Sequence, residues 1–186
     1  MSDEAVQQVP QTIVLVGAPG AGKSTVGKRL ARALEMDFID VDVAVEERAG
    51  MPISEIFLTR GEPAFRELER DLTLELVQRP GVVSLGGGAV MDESIRAALG
   101  EVFVVWLQVS AQQASRRVGL TGNDRPLLAT NVHSTMVKLM RQRQPLYAQV
   151  ASLSVDTDGL RPGAVAKRVL AELGVEQAAE TNHEES

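Results

Sequence analysis

Apolar residues fall into short blocks along this chain, and their spacing predicts a fold before any motif is considered. Residues 12–16, Thr-Ile-Val-Leu-Val, form a nearly continuous apolar run rich in β-branched side chains, the pattern of a strand covered on both faces. Residues 82–85 and 102–109 repeat it, and shorter runs at 37–42 and 151–155 bring the expected strands to five. Helical periodicity fills the intervals. Val26, Leu30 and Leu34 recur at helical spacing, with Lys28, Arg29, Arg32 and Glu35 between them. Residues 43–77 are helical in pattern but broken near Gly50-Met51-Pro52 and Gly61-Glu62-Pro63. Beyond the second break, Phe65, Leu68, Leu72 and Leu76 form an apolar stripe. Further helices are expected over 92–99, stopped by Gly100; over 111–118, capped by Ser110; over 132–147, perturbed by Pro145; and between Pro162 and Gly174. Strands alternating with helices, without internal repeats, predict an α/β fold: a parallel sheet with helices on both faces.

The first strand and first helix enclose Gly17-Ala18-Pro19-Gly20-Ala21-Gly22-Lys23-Ser24-Thr25. The pattern G-x-x-x-x-G-K-S, set between a buried strand and a helix start, reads as a phosphate-binding loop. Its glycines let the backbone turn tightly and aim N–H groups inward, and the helix start adds free N–H groups and the positive end of its dipole. Lys23 supplies a mobile point charge for the outer phosphates, and Ser24 a hydroxyl for Mg²⁺. The plainer alternative is a glycine-rich turn with a solvent-exposed lysine; the strand and helix on either side argue against it.

Composition narrows the classes. A length of 186 residues suits one domain with a sizeable core. The net charge of −6 gives no overall pull toward nucleic acid or anionic membrane, so any phosphate site must be a local concentration of basic groups and amides. Cysteine is absent, which removes thiolate nucleophiles and cysteine zinc sites; two histidines, His133 and His183, give little support to a triad or a histidine metal site. Only six aromatic residues occur, too few for a base-stacking surface. No run is long and apolar enough to cross a bilayer, and the acidic start Met1-Ser2-Asp3-Glu4 is unlike a secretory signal, so a cytoplasmic location is expected. Residues 1–11 and the acidic stretch 175–186 are expected to be disordered, leaving one domain within 1–174.

Three strand ends carry candidate chemistry. The second expected strand ends in Asp40-Val41-Asp42, and in an extended segment Asp40 and Asp42 point to the same side; in an open parallel sheet, ligands collect at the carboxyl ends of strands. The third runs into Gly86-Gly87-Gly88, a backbone suited to close approach. Residues 119–130 have few regular signals and read as a mobile lid. A guanine-reading N-K-x-D motif is lacking, and the third strand does not end in Asp-Glu, which favours phosphoryl transfer to a bound small molecule over hydrolysis.

Gly20-Ala21-Gly22-Lys23-Ser24-Thr25, Asp40-Val41-Asp42, Phe65-Arg66 followed by Glu69, Gly86-Gly87-Gly88-Ala89, Arg125-Pro126-Leu127-Leu128, and Arg143 before Pro145-Leu146-Tyr147 occur in one order. With that set the chain resembles the shikimate kinases of the nucleoside-monophosphate-kinase-like group, from about residue 12 to residue 173. The resemblance implies a P-loop kinase fold with a five-stranded parallel sheet of order 2-3-1-4-5, a helical substrate-binding insertion over about 41–77 and a lid over about 119–130. It implies transfer of the ATP γ-phosphoryl group to the 3-hydroxyl of shikimate, with Mg²⁺, by a monomer. Arg66 and Arg143 would hold the shikimate carboxylate, a chemically apt pairing for guanidinium groups. Asp42 would accept a hydrogen bond from the reacting hydroxyl; Asp40, with Ser24, would hold Mg²⁺. Gly87 and Gly88 would bring main-chain N–H groups to the ring, and Phe57 and Phe65 would pack on it. Arg125 would swing over the phosphates, while Arg117 and Arg161 would face the adenine. Near the adenine, Leu160 stands where the family often carries a basic residue, with Arg161 beside it.

Plainer readings stand beside these. Asp40 and Asp42 fit a pair capping the next helix, Arg66 a surface arginine paired with Glu62 or Glu69, Gly86–Gly88 a flexible turn, and Phe57 and Phe65 ordinary core. Arg125 and Arg143 carry no local signal and rest on the resemblance. Two other functions remain in view: a related small-molecule kinase such as a gluconate kinase, and a non-catalytic ATP-binding regulator.

Overall fold

The computed structural model describes residues 9–121 and 129–175. Parallel strands β1 (Thr12–Val16), β2 (Phe38–Asp40), β3 (Gly81–Ser84), β4 (Phe103–Gln108) and β5 (Leu153–Asp156) form one sheet in the order β2-β3-β1-β4-β5. The helices are α1 (Lys23–Ala33), α2 (Val41–Ala49), α3 (Ile53–Leu76), α4 (Glu93–Leu99), α5 (Ala111–Thr121), α6 (Ala129–Val150) and α7 (Pro162–Glu172), with a short 3₁₀ turn over Ala89–Met91.

The double-faced burial expected of β1 follows from alternation along the strand. Ile13 and Leu15 face one layer, where they pack with Val26 and Leu30 of α1, Val165 and Val169 of α7, and Met136 and Met140 of α6. Val14 and Val16 face the other, with Val45 of α2, Leu72 and Leu76 of α3, Ile95 of α4 and Tyr147 of α6. Asp40 and Leu15 both sit opposite Ser84, so β1, β2 and β3 end at one level of the sheet. That register brings the loop after β1, the carboxylates after β2 and the glycines after β3 to a common edge.

Element boundaries moved where local hydrogen bonding outweighs the apolar pattern. Strand β2 stops at Asp40 instead of running to residue 42, because the Asp40 carboxylate accepts the Asp42 backbone N–H at 3.1 Å and caps α2. Asp42 therefore lies in the first turn of a helix, and the same-side argument for an extended pair does not apply. The capping reading of this pair is correct as far as it goes. Helix α2 stops at Gly50 in the left-handed conformation (φ 69°). Helix α3 bends at Gly61 (φ 83°, ψ 166°), two residues before Pro63, so the expected break survives as a kink inside one element. Strand β4 is two residues shorter than the 102–109 run, β5 begins two residues later than expected and extends to Asp156, and α6 extends beyond both ends of its expected span without stopping at Pro145. At α4, Asp92 is the cap: its Oδ1 accepts from the Ser94 and Ile95 N–H groups. Most of the expected lid, including Arg125, and the terminal segments 1–8 and 176–186 lie outside the described residues.

Candidate active site

The loop after β1 wraps toward the start of α1. Gly20 (φ 80°) and Gly22 (φ 90°) take left-handed conformations that side chains with a Cβ adopt at a penalty, and Gly22 stands at the N-cap of α1 with no side chain in the way. Lys23 opens the helix. Its Nζ donates to the Gly17 and Ala18 carbonyl oxygens at 2.8 and 3.1 Å, so the ammonium curls over the mouth of the loop. Burial lowers its pKa to about 8; the charges of Asp42 and Asp40 oppose the shift and that of Arg143 adds to it. Lys23 thus shares one electrostatic environment with residues of α2 and α6.

The next residue, Ser24, donates its hydroxyl to Asp40 Oδ2 at 2.5 Å. One carboxylate thereby bridges α1 and α2: Oδ2 meets Ser24 while Oδ1 caps α2 through Asp42 N. Asp42 follows on the first turn. Burial raises its pKa, the Asp40 charge adds to the rise, and Lys23 and Arg66 oppose it. Lys23, Ser24, Asp40, Asp42 and Ser84 line a cavity of ≈ 230 Å³ at the sheet edge.

The triple glycine follows Leu85 of the cavity wall, and each glycine stands close to a different set of side chains. A Cβ on Gly86 would stand 2.5 Å from Glu69 Oε1 and 2.9 Å from Asp42 Oδ1. On Gly87 it would meet Pro19 at 3.0 Å and Arg143 NH1 at 3.4 Å, and on Gly88 it would meet Arg66 NH1 at 2.6 Å. Asp42 of α2, Arg66 and Glu69 of α3, Arg143 of α6 and Pro19 of the loop therefore converge on three consecutive backbone positions. A merely flexible turn would not carry such contacts.

Arg66 is held from two sides. It donates to Glu69 Oε2 at 2.7 Å and to Glu62 Oε1 at 3.2 Å, and its guanidinium lies 5.1 Å from the centre of the Phe65 ring. The surface-pair reading holds for Glu62 but not for Glu69, whose residue is only 2% exposed. Burial raises the Glu69 pKa, and the hydrogen bond from Arg66 opposes the rise. Phe65 belongs to the core, and Phe57, half-exposed, packs on it with ring centroids 4.9 Å apart.

A second cavity, of ≈ 540 Å³, adjoins the other side of the phosphate loop. Gly20, Ala21, Gly22 and Thr25 form one wall, and Arg117, Thr157, Leu160 and Arg161 the others. Arg117 donates to Gly20 O at 3.1 Å and to Thr157 O at 3.2 Å, which ties α5 to the loop and to the segment after β5. Arg161 is the N-cap residue of α7.

Three participants escaped sequence reasoning in these roles. Glu69 sits on the apolar stripe, four residues after Phe65, and an acid there is the signal that could have marked a buried ion pair. Ser84 is buried at the cavity wall, as the one polar residue of its apolar run. Tyr147 is 1% exposed and donates its hydroxyl to Gly87 O at 2.6 Å, a contact no local pattern announces.

The family model described as shikimate kinase matches residues 19–174. The chain belongs to the shikimate kinase family. A shikimate kinase of Salinispora arenicola is 52% identical over 159 residues, covering 85% of this chain and 95% of the relative. One from Rhodococcus jostii is 48% identical over 162 residues, covering 86% and 96%. Among solved structures, the shikimate kinase of Acinetobacter baumannii in complex with shikimate superposes with a TM-score of 0.82 at 34% identity, covering 92% of this chain and 97% of that one. The sheet order expected from the resemblance is the order found, and the architecture is that of the family.

Proposed function

We infer that the protein transfers the γ-phosphoryl group of ATP to the 3-hydroxyl of shikimate, giving 3-phosphoshikimate and ADP on the route to aromatic amino acids. The observation that carries this reading is the convergence of Asp42, Arg66 and Arg143 on the Gly86–Gly88 backbone, beside Lys23 and the phosphate loop.

Each group has a task its surroundings suit. The larger cavity accepts the nucleoside, with Arg117 and Arg161 beside the base and Thr25 near the phosphates. Loop N–H groups and the Lys23 ammonium bind the β- and γ-phosphates. The guanidinium groups of Arg66 and Arg143 flank Gly88 and Gly87 and bind the acceptor carboxylate. Gly87 and Gly88 admit the ring without a Cβ in its way, and Phe57 and Phe65 stiffen the wall that carries Arg66. Arg125 is assigned to charge stabilisation at the transferring phosphoryl group on the family pattern alone.

In the transfer step, the acceptor hydroxyl oxygen forms a bond to the γ-phosphorus as the bond to the bridging oxygen of ADP breaks. Asp42 accepts the hydroxyl proton, or holds the hydroxyl in line until the proton leaves. In a loose transition state alignment carries much of the rate, which suits a carboxylate fixed on the first turn of a helix. Ser24 and Asp40 are hard oxygen donors in hydrogen-bond contact at the foot of the loop, a set that fits Mg²⁺ sharing its coordination with phosphates and water. When bound, Mg²⁺ would neutralise phosphate charge during transfer. A single chain carries every group named, which supports a monomer as the working unit, and dependence on ATP supports a cytoplasmic setting.

An ADP-release assay with shikimate, gluconate and nucleoside monophosphates as acceptors tests the reading. Turnover is expected with shikimate alone. Turnover with gluconate and none with shikimate would replace it with the gluconate kinase alternative, and nucleotide binding without turnover on any acceptor with the regulator.

A further inference from the structure

The Gly86–Ala89 segment is a hydrogen-bonded turn: Ala89 N donates to Gly86 O at 3.1 Å. Gly87 and Gly88 are its central residues, and Gly88 has φ −96° and ψ −9°, the values of a type I turn at that position. The alternative type II turn has the same ends. It differs by a half-rotation of the central peptide, which exchanges the directions of the Gly87 C=O and the Gly88 N–H and requires positive φ at the third residue. Gly88 tolerates positive φ, so this sequence does not by itself choose between the two.

The choice is made by the Tyr147 hydroxyl, which donates to Gly87 O at 2.6 Å, the atom that would swing away in a flip. Tyr147 cannot readily follow it. The residue is 1% exposed in the core, and its ring lies against Trp106 with centroids 5.9 Å apart. Arg143, one helical turn earlier on α6, lies near the same hydroxyl, and its NH1 would stand 3.4 Å from a Cβ on Gly87. We propose that Tyr147 is a positioning residue for the acceptor: by holding Gly87 O it locks the 87–88 peptide in one orientation and fixes where the Gly88 N–H points, in register with Arg66 and Arg143. The proposal rests on the reading that the acceptor binds beside Gly87 and Gly88.

The test is Tyr147→Phe, followed by steady-state kinetics and by NMR of the Gly87 carbonyl and Gly88 amide resonances. The expected result is a roughly tenfold rise in acceptor KM, the worth of one buried hydrogen bond, with nucleotide KM within about twofold and displaced Gly87 and Gly88 resonances. A purely structural role would weaken both substrates together or lower only the melting temperature. Tyr147 is the only tyrosine in the chain, so a second test replaces it with 3,5-difluorotyrosine throughout, keeping shape and hydroxyl while lowering the pH at which the phenol ionises. Burial holds the native hydroxyl at about 12. The ratio of acceptor KM between fluorinated and native protein should then rise with pH as the fluorine resonance reports ionisation, because a phenolate cannot donate to Gly87 O. An acceptor KM that ignores both Tyr147→Phe and the observed ionisation overturns the proposal. If Arg66→Ala loses acceptor binding while the Tyr147 changes do not, the proposal falls and the site reading stands; if none of them affects acceptor binding, both fall.

Discussion

Gly86 and Asp42 stand so close that a Cβ on the glycine would lie 2.9 Å from Asp42 Oδ1, and the same atom would lie 2.5 Å from Glu69 Oε1. The end of β3 and the start of α2 are fitted to each other at the carboxylate proposed to align the acceptor hydroxyl. Gly86→Ala must push at least one carboxylate aside, and Glu69 has little room because it is buried and bonded to Arg66. The expected outcome is a stability loss of about 1–3 kcal/mol, as for other overpacked sites. A fall in kcat of roughly a hundredfold should accompany it, since an ångström of misplacement is felt strongly at a reacting centre. Thermal melting and kinetics on the same preparation check both, and a variant with native kcat would show that the two groups can separate without consequence.

Asp42→Asn keeps the shape of the side chain and removes its charge. Nucleotide binding is expected to change little, while kcat falls about 10²–10⁴-fold, the usual span for a lost proton acceptor. Because burial raises the Asp42 pKa, the acid limb of the native pH–rate profile should lie above the ordinary carboxylate range, and it should vanish in the Asn variant's residual activity. An unshifted acid limb in native protein, or one retained in Asp42→Asn, would assign that limb to another group.

The alternation of strands and helices and the phosphate loop were legible because they depend on local pattern, and the sheet order because the family's motifs occur in a fixed order. The position of Asp42 was not. Its place depends on whether the Asp40 side chain caps a helix at residue 41 or the chain continues extended, and the apolar pattern is the same in both cases. The buried pairing of Arg66 with Glu69 was half legible: i,i+3 spacing announces the contact, but only the packing of α3 against the triple glycine shows that Glu69 is out of solvent. Tyr147 to Gly87 spans 60 residues, and neither end carries a signal pointing to the other.

Lys23 is expected to set the alkaline side of the profile. Its pKa, lowered to about 8 by burial, means the free protein carries a charged ammonium below that pH and loses it above. kcat/KM for ATP is therefore expected to fall as pH rises through about 8. Bound phosphates favour the charged form, so the corresponding limb in kcat should lie at higher pH. Profiles measured at limiting and at saturating ATP, with shikimate saturating throughout, check the displacement. Coincident limbs would mean that phosphate binding does not stabilise the ammonium.

Glu69→Gln separates the stability and binding roles of the ion pair. The native carboxyl has its pKa raised from 4.5 in the folded protein, so folding favours its protonated form. The sign follows: relative to Glu69→Gln, whose side chain cannot ionise, the native protein is most stable at low pH. It loses ground as pH rises through and above the unfolded value, until the folded carboxyl is fully charged. Melting temperatures of the two proteins across pH 4 to 7 should therefore shift in favour of the variant on going up in pH (~1.4 kcal/mol per unit of pKa difference is the scale). Binding should move the other way. Arg66 keeps its charge but exchanges an ion-paired hydrogen bond at 2.7 Å for a weaker one to an uncharged amide oxygen, leaving Glu62 as its charged partner and loosening the guanidinium over Gly88. A roughly three- to tenfold rise in shikimate KM with ATP KM unchanged is expected. If the variant were more stable at neutral pH and bound shikimate as the native protein does, Glu69 would have no part in holding Arg66 in place.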